Sequence, residues 1–194
     1  METLVSNNKS MINLIQWSHK LQKKFNEFCC EIEGDAIKGD RIRNMRHRKH
    51  RYESIQKPVG RFILFLDAIL MVAQWVVVHR AGESEELHAI DFLLNVNEET
   101  LLSIAFCADA GDEGMKMIRE VDTEKHDTSR VATTLATLVA HMDYLFVQAH
   151  APEYGYTAYL LALLERPRTV WMRGIPETRW AKTARPRRAS SPDV

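Results

Sequence analysis

The sequence predicts an all-α protein, a compact bundle of six to eight helices with a basic C-terminal tail expected to be disordered. Apolar residues recur with a 3.6-residue period in at least five segments, as helices facing a common core require. Only 8 glycines and 6 prolines punctuate 194 residues, too few for a many-turned β architecture. A hydrophobic fraction of 45% beside 27% charged residues suits a chain long enough to bury a core without staples.

The first helix is expected between Ser10 as N-cap and Gly34 as terminator, with Met11, Leu14, Leu21, Phe25, Phe28 and Ile32 on one seam. Ser18 interrupts that seam, with Trp17 beside it. The seam spans about three heptads, enough for an intramolecular hairpin or a homo-oligomer through Met11–Ile32. A second helix is expected from Asp40 to Lys57, stopping before Pro58, with a thin stripe of Ile42, Met45, Tyr52 and Ile55. A third, Phe62 to Val78, is apolar except for Asp67 and Gln74, which are seven apart and share a face. A helix with one narrow polar stripe fits the centre of a bundle, here against the first seam and the 131–146 helix.

That third segment is also near the minimum length of a membrane span. Asp67 would cost about 2.5–3.5 kcal/mol at mid-bilayer, so a core helix and no stable span are expected. Residues 84–95 predict a short helix with Leu87, Ile90 and Leu94 inward. Asn97 followed by Glu98 and Glu99 reads as a cap with acids in the first turn, opening a helix that ends near Gly111. A weak turn is expected at 115–121 and a loop at 122–129. Val131, Leu135, Leu138, Met142, Leu145 and Phe146 mark a further helix stopped by Pro152, and residues 156–165 a last one before Pro167. The division is residues 1–57 as a helical hairpin with a basic second helix, 58–168 as the helical core and 169–194 as the flexible tail.

Lys+Arg and Asp+Glu both number 26, but the charges are segregated. Residues 38–61 hold nine Lys/Arg and two acids, residues 81–130 thirteen acids and four Lys/Arg, and residues 179–194 five Lys/Arg and one acid. The densest run is Arg41, Arg43, Arg46, His47, Arg48, Lys49, His50 and Arg51, with no acid among them. Like charges one turn apart repel by a few tenths of a kcal/mol per pair, so something should compensate. Phosphates would do so, with affinity from counterion release rather than base reading, and arginine matches phosphate geometry well. The basic tail, Arg179, Lys182, Arg185, Arg187 and Arg188, would assist. The competing explanations are pairing with the acidic middle of the chain, a solvated face, or a nuclear localisation patch.

Other chemistry finds little footing. Cys29, Cys30 and Cys107 form no disulfide framework and no CxxC, and three thiols suit a reducing compartment, cytoplasmic and possibly nuclear. The N-terminal ten residues lack the apolar stretch of a signal peptide. His88, His126–Asp127 and Asp143 follow the order of the metal-binding set of HD-type phosphohydrolases, which they resemble only in order. The HisAsp pair here stands in a polar stretch, so no residue is assigned to a metal. His141 and Asp143, two apart on a helix, point in different directions. Tyr154, Tyr156, Tyr159, Trp171 and Trp180 could stack on bases, but fit a core edge with packing anchors better. There is no glycine-rich phosphate loop and no nucleophile motif.

The expected function is therefore non-catalytic nucleic-acid binding, RNA more than DNA, by an accessory or regulatory protein without cofactor or metal. Small helical accessory proteins that suppress RNA silencing offer an analogy of class, with no shared motif. The alternative is an oligomeric protein-interaction module whose basic helix docks on an acidic partner.

Overall fold

The structure is a computed structural model describing residues 10–33, 53–122 and 128–165. Among them there are eight α-helices and no strand: α1 Met11–Trp17, α2 His19–Glu33, α3 Glu53–Leu64, α4 Leu66–His79, α5 Ser84–Asn95, α6 Glu98–Val121, α7 Val131–Met142 and α8 Gly155–Glu165. The all-α bundle is thus as the sequence predicts.

One apolar core draws on every helix except α7, from Met11 and Phe25 through Phe62, Ile69, Phe92 and Ile104 to Leu160. Two triplets organise it. The helices α3, α6 and α8 pack on one another, and α4 lies between α2 and α5. Burying each large side chain contributes roughly 1.5–3 kcal/mol, enough to override several local signals.

The first override is at Ser18. The expected helix from 10 to 34 is two helices, because Ser18 adopts extended angles (φ −99°, ψ 111°) and ends α1. Its hydroxyl then accepts the Leu21 N–H at 3.4 Å, opening α2 as Ser10 opens α1 through the Asn13 N–H. The seam residues Met11, Leu21 and Phe25 are buried in the chain's own core, where Phe25 meets Phe65 edge-on at 5.8 Å. Trp17 and Ile32 remain exposed.

The second is at Pro58, where the sequence predicts a helix end. Instead α3 continues through Pro58 to Leu64. An internal proline costs about 3 kcal/mol, and burial of Val59, Phe62 and Ile63 beyond it outweighs that cost. Conversely, the single helix expected over Phe62–Val78 is broken at Phe65 (φ −105°, ψ 16°), and the chain bends by 75°. The Tyr159 hydroxyl donates to the Leu64 carbonyl at the bend, at 3.2 Å. Among the described residues no single helix is long and apolar enough to cross a membrane.

The third is in α6, which runs unbroken past Gly111 and Gly114 although the sequence suggests a stop at Gly111. Leu101, Ile104, Ala105, Ala108 and Met115 form a continuous buried face, and its burial exceeds the ~1 kcal/mol a helical glycine costs. The Asn97 cap is as expected, accepting the Thr100 N–H at 2.8 Å. Helix α5 has the expected bounds but a rotated face: Ala89 and Phe92 are inward while Leu87 is 70% exposed.

The last correction concerns α7. It packs chiefly on α6, not on α4, and leaves Leu135 and Val139 exposed. Beyond Met142 the α-helix gives way to a π turn, Asp143–Val147, and then to Ala149 at φ 62°. A non-glycine residue at positive φ is uncommon. A 3-10 turn, Ala151–Glu153, leads to Gly155 at φ 64°, where α8 begins.

Candidate functional site

Where α6, the end of α7 and the start of α8 converge, they enclose a cavity of about 340 Å³. Helix α6 contributes Asp109, Asp112, Glu113 and Lys116, whose spacings of three, one and three place them on one face. His141 comes from the last turn of α7, Tyr144 and Leu145 from the π turn, and Ala151, Tyr154, Gly155 and Tyr156 from the approach to α8. A π turn rotates side chains away from the α-helical register and is frequent at functional sites.

Asp109 sits on the buried floor and is 7% exposed. Its Oδ1 accepts the Tyr156 N–H at 2.7 Å, and its Oδ2 accepts the Thr157 N–H at 3.0 Å and the Thr157 hydroxyl at 2.6 Å. These are second- and third-residue N–H groups of α8, so Asp109 caps that helix from another one, at its electropositive end. Gly155 is required there, because a Cβ would collide with the Asp109 carboxylate.

Glu113, next on the same face, pairs with Lys116 through Oε1 and with His141 through Oε2, which lies 2.6 Å from Nδ1. Burial pushes the Glu113 carboxyl upward, but the hydrogen bonds from Lys116 and His141 outweigh it and hold it below the usual carboxylate range. A carboxylate can only accept, so Nδ1 of His141 carries the proton in this hydrogen bond.

The rim is aromatic. Tyr144 stacks on His150 at 4.2 Å and 12°, and lies near-parallel to His141 at 6.2 Å. His150 Nδ1 lies 3.2 Å from Glu153 Oε2, a second histidine–carboxylate pair. The Tyr144 hydroxyl is raised above its ordinary range, first by its hydrogen bond with Tyr154. Tyr156 is raised by burial and then by the charges of Asp112 and Asp109, so the cavity interior is electronegative. Tyr156 packs on Gly60 of α3, where a Cβ would fall 2.5 Å from Tyr156 Cζ.

The arrangement can accept hydrogen bonds and present π faces. Among the described residues no group of three or more His, Cys, Asp and Glu could hold a metal ion. His141 and Asp143 do diverge: His141 turns to Glu113, and Asp143 receives the Gln148 amide at 2.9 Å. Cys29 is buried while Cys30 and Cys107 are exposed.

Arg41, Arg43, Arg46, His47, Arg48, Lys49, His50 and Arg51 lie outside the described residues, as do Arg179, Lys182, Arg185, Arg187, Arg188, Trp171, Trp180 and the His126–Asp127 pair. The acids that could balance the basic run are largely described. Glu83 and Glu85 both pair with Arg80, Glu85 at 3.0 Å. Glu86 accepts the Gly82 N–H at 2.6 Å, and Glu113 is held as above. Arg80 is raised above its ordinary value, first by the Glu83 hydrogen bond.

The cavity is not legible as a motif in the sequence, although a trace of it is present. Asp109, Asp112, Glu113 and Lys116 are a polar stripe at helical spacing, visible once α6 is read through Gly111. Compared with protein-family models, with curated proteins and with solved structures, the chain matches none.

Proposed function

We propose that the protein binds nucleic acid without catalysis, RNA in preference to DNA, through the basic segment 41–51 with help from the basic tail. One observation in the structure favours this over internal charge pairing. Glu83, Glu85, Glu86 and Glu113 each have a partner close by in the chain: Arg80, Arg80, the Gly82 N–H and Lys116. These four acids thus have partners among the described residues, and the six cations within eleven residues, Arg41–Arg51, would gain from a counter-charge. Phosphate supplies it, and the contacts would be to backbone and shape.

The test is binding to duplex and single-stranded RNA and DNA across a salt series. The log of affinity should fall linearly with log salt, by about 0.9 per phosphate neutralised on duplex DNA and less on single strands. The double variant Arg46→Ala/Arg48→Ala should weaken binding equally for unrelated sequences and flatten the slope. Its melting temperature should stay level or rise, since self-repulsion is relieved. Absence of binding at low salt, together with a lower melting temperature in that variant, ends this reading.

A second reading, an oligomeric interaction module, is favoured by one observation. Helix α7 carries no Asp, Glu, Lys or Arg and exposes Leu135 and Val139, and apolar surface gathered in one place marks association. Light scattering over a concentration series tests it, and a monomer throughout would refute it.

A further inference from the structure

We propose that the face where the start of α2 lies beside the end of α4 binds single-stranded RNA, with its lysines on phosphates and its rings on bases. This deepens the nucleic-acid reading and rests on it, through residues other than the basic segment 41–51. From Met11 to Asn26 the chain carries Lys20, Lys23 and Lys24 and no acid. Helices α2 and α4 run antiparallel: Phe25 meets Phe65 edge-on, while Lys20, nearer the start of α2, meets Trp75, nearer the end of α4. The ammonium groups of Lys20 and Lys24 lie 5.8 and 5.7 Å from the centroid of the Trp75 ring. His79 stacks on the same indole at 5.0 Å and 14°, with its Nδ1 3.0 Å from the Trp75 carbonyl oxygen. Trp17, which closes α1 just ahead of α2, is 72% exposed.

Cations and flat rings thus converge on one face, the pairing with which proteins hold unpaired strands. Acids near it are paired within the chain: Glu27 with Lys24, and Glu83 and Glu85 with Arg80. Lys20 and Lys23 are exposed and form no ion pair among the described residues. Three apart on a helix, they are neighbours whose charges repel until an anion lies against both. The exposed His79 ring has one face on Trp75, so a base can extend the pile on the other. In a duplex each base is already stacked and paired, so a platform of this kind selects single strands. An anionic lipid surface would meet the same lysines but would gain nothing from an imidazole lying flat on an indole.

The experiment is fluorescence anisotropy of the full-length protein with a labelled oligouridylate of about 12 nucleotides, within the span of single-strand sites, and with an RNA duplex of the same length. Sedimentation with phosphatidylserine–phosphatidylcholine vesicles is run beside it. Lys20→Ala/Lys23→Ala should make the plot of log affinity against log salt shallower by about 1.4 on the oligouridylate, ~0.7 for each of two phosphates. His79→Ala should weaken oligouridylate binding about fivefold or more and leave duplex binding unchanged. All these side chains are exposed, so both variants should melt with the parent. Parental binding of the oligouridylate by both variants overturns the proposal, as does an equal loss on duplex in His79→Ala, or binding of vesicles without RNA. If Arg46→Ala/Arg48→Ala alone weakens binding, this face falls and the basic segment stands. If only the α2 and α4 variants weaken it, this face stands without that segment. No binding of either RNA at low salt ends both.

Discussion

Replacing Asp109 with alanine removes three hydrogen bonds at one point: from the Tyr156 N–H at 2.7 Å, the Thr157 N–H at 3.0 Å and the Thr157 hydroxyl at 2.6 Å. Thr157 is fully buried, so its N–H and hydroxyl lose their acceptor in a place water does not reach. Each hydrogen bond to a charged group is worth about 1.5–3 kcal/mol, and three on one carboxylate are not additive. The variant also recovers the cost of burying the charge, which leaves a net loss of about 3 kcal/mol. For a chain of this length that is a fall in melting temperature of about 6–12 °C, measured by circular dichroism at 222 nm. A double-mutant cycle with Gly155→Ala sharpens the test. Alone, Gly155→Ala sets a methyl into the Asp109 carboxylate at a backbone φ of 64°. Combined with Asp109→Ala the collision is gone, and only the left-handed strain of about 1–2 kcal/mol remains. The two changes should therefore cost clearly less together than their sum. A fall below about 2 °C for Asp109→Ala, or strict additivity in the cycle, would refute the assignment of Asp109 as the cap of α8.

Glu113, held below the usual carboxylate range, binds fewer protons folded than unfolded, so its stabilisation is present above about pH 4.3 and lost as pH falls through the folded value. Glu113→Gln should lower stability at neutral pH and flatten the acid limb of the melting-temperature profile; an unchanged limb would contradict this. Phe62→Ala, at a fully buried core position, should cost about 3–5 kcal/mol in urea unfolding. Leu135→Ala, 47% exposed on α7, should cost under about 1 kcal/mol, and comparable losses would show that α7 is covered in solution. A thiol reagent under native conditions should label Cys30 and Cys107 quickly and Cys29 only on unfolding, counted by mass spectrometry.

The local code carried helix identity and several ends. Ser10 and Asn97 announced their helices because a side-chain oxygen reaching an N–H three residues on needs nothing beyond the segment itself. The charge segregation along the chain, basic over Arg41–Arg51 and acidic over 81–130, is likewise fixed by composition and order alone. Tertiary structure decided where local preferences yield. Pro58 and Gly111 do not stop their helices, because Val59, Phe62 and Ile63 are buried beyond the proline and Ala108 and Met115 on either side of the glycine. Phe65 breaks an apolar run that looks continuous, with its ring against Phe25 and the neighbouring carbonyl of Leu64 taken by Tyr159. The cavity is also a product of tertiary structure. Asp109 bonds across 48 positions to Thr157, and Glu113 across 28 to His141. No window of sequence contains either pair, and their meeting depends on the angles at which α6, α7 and α8 pack.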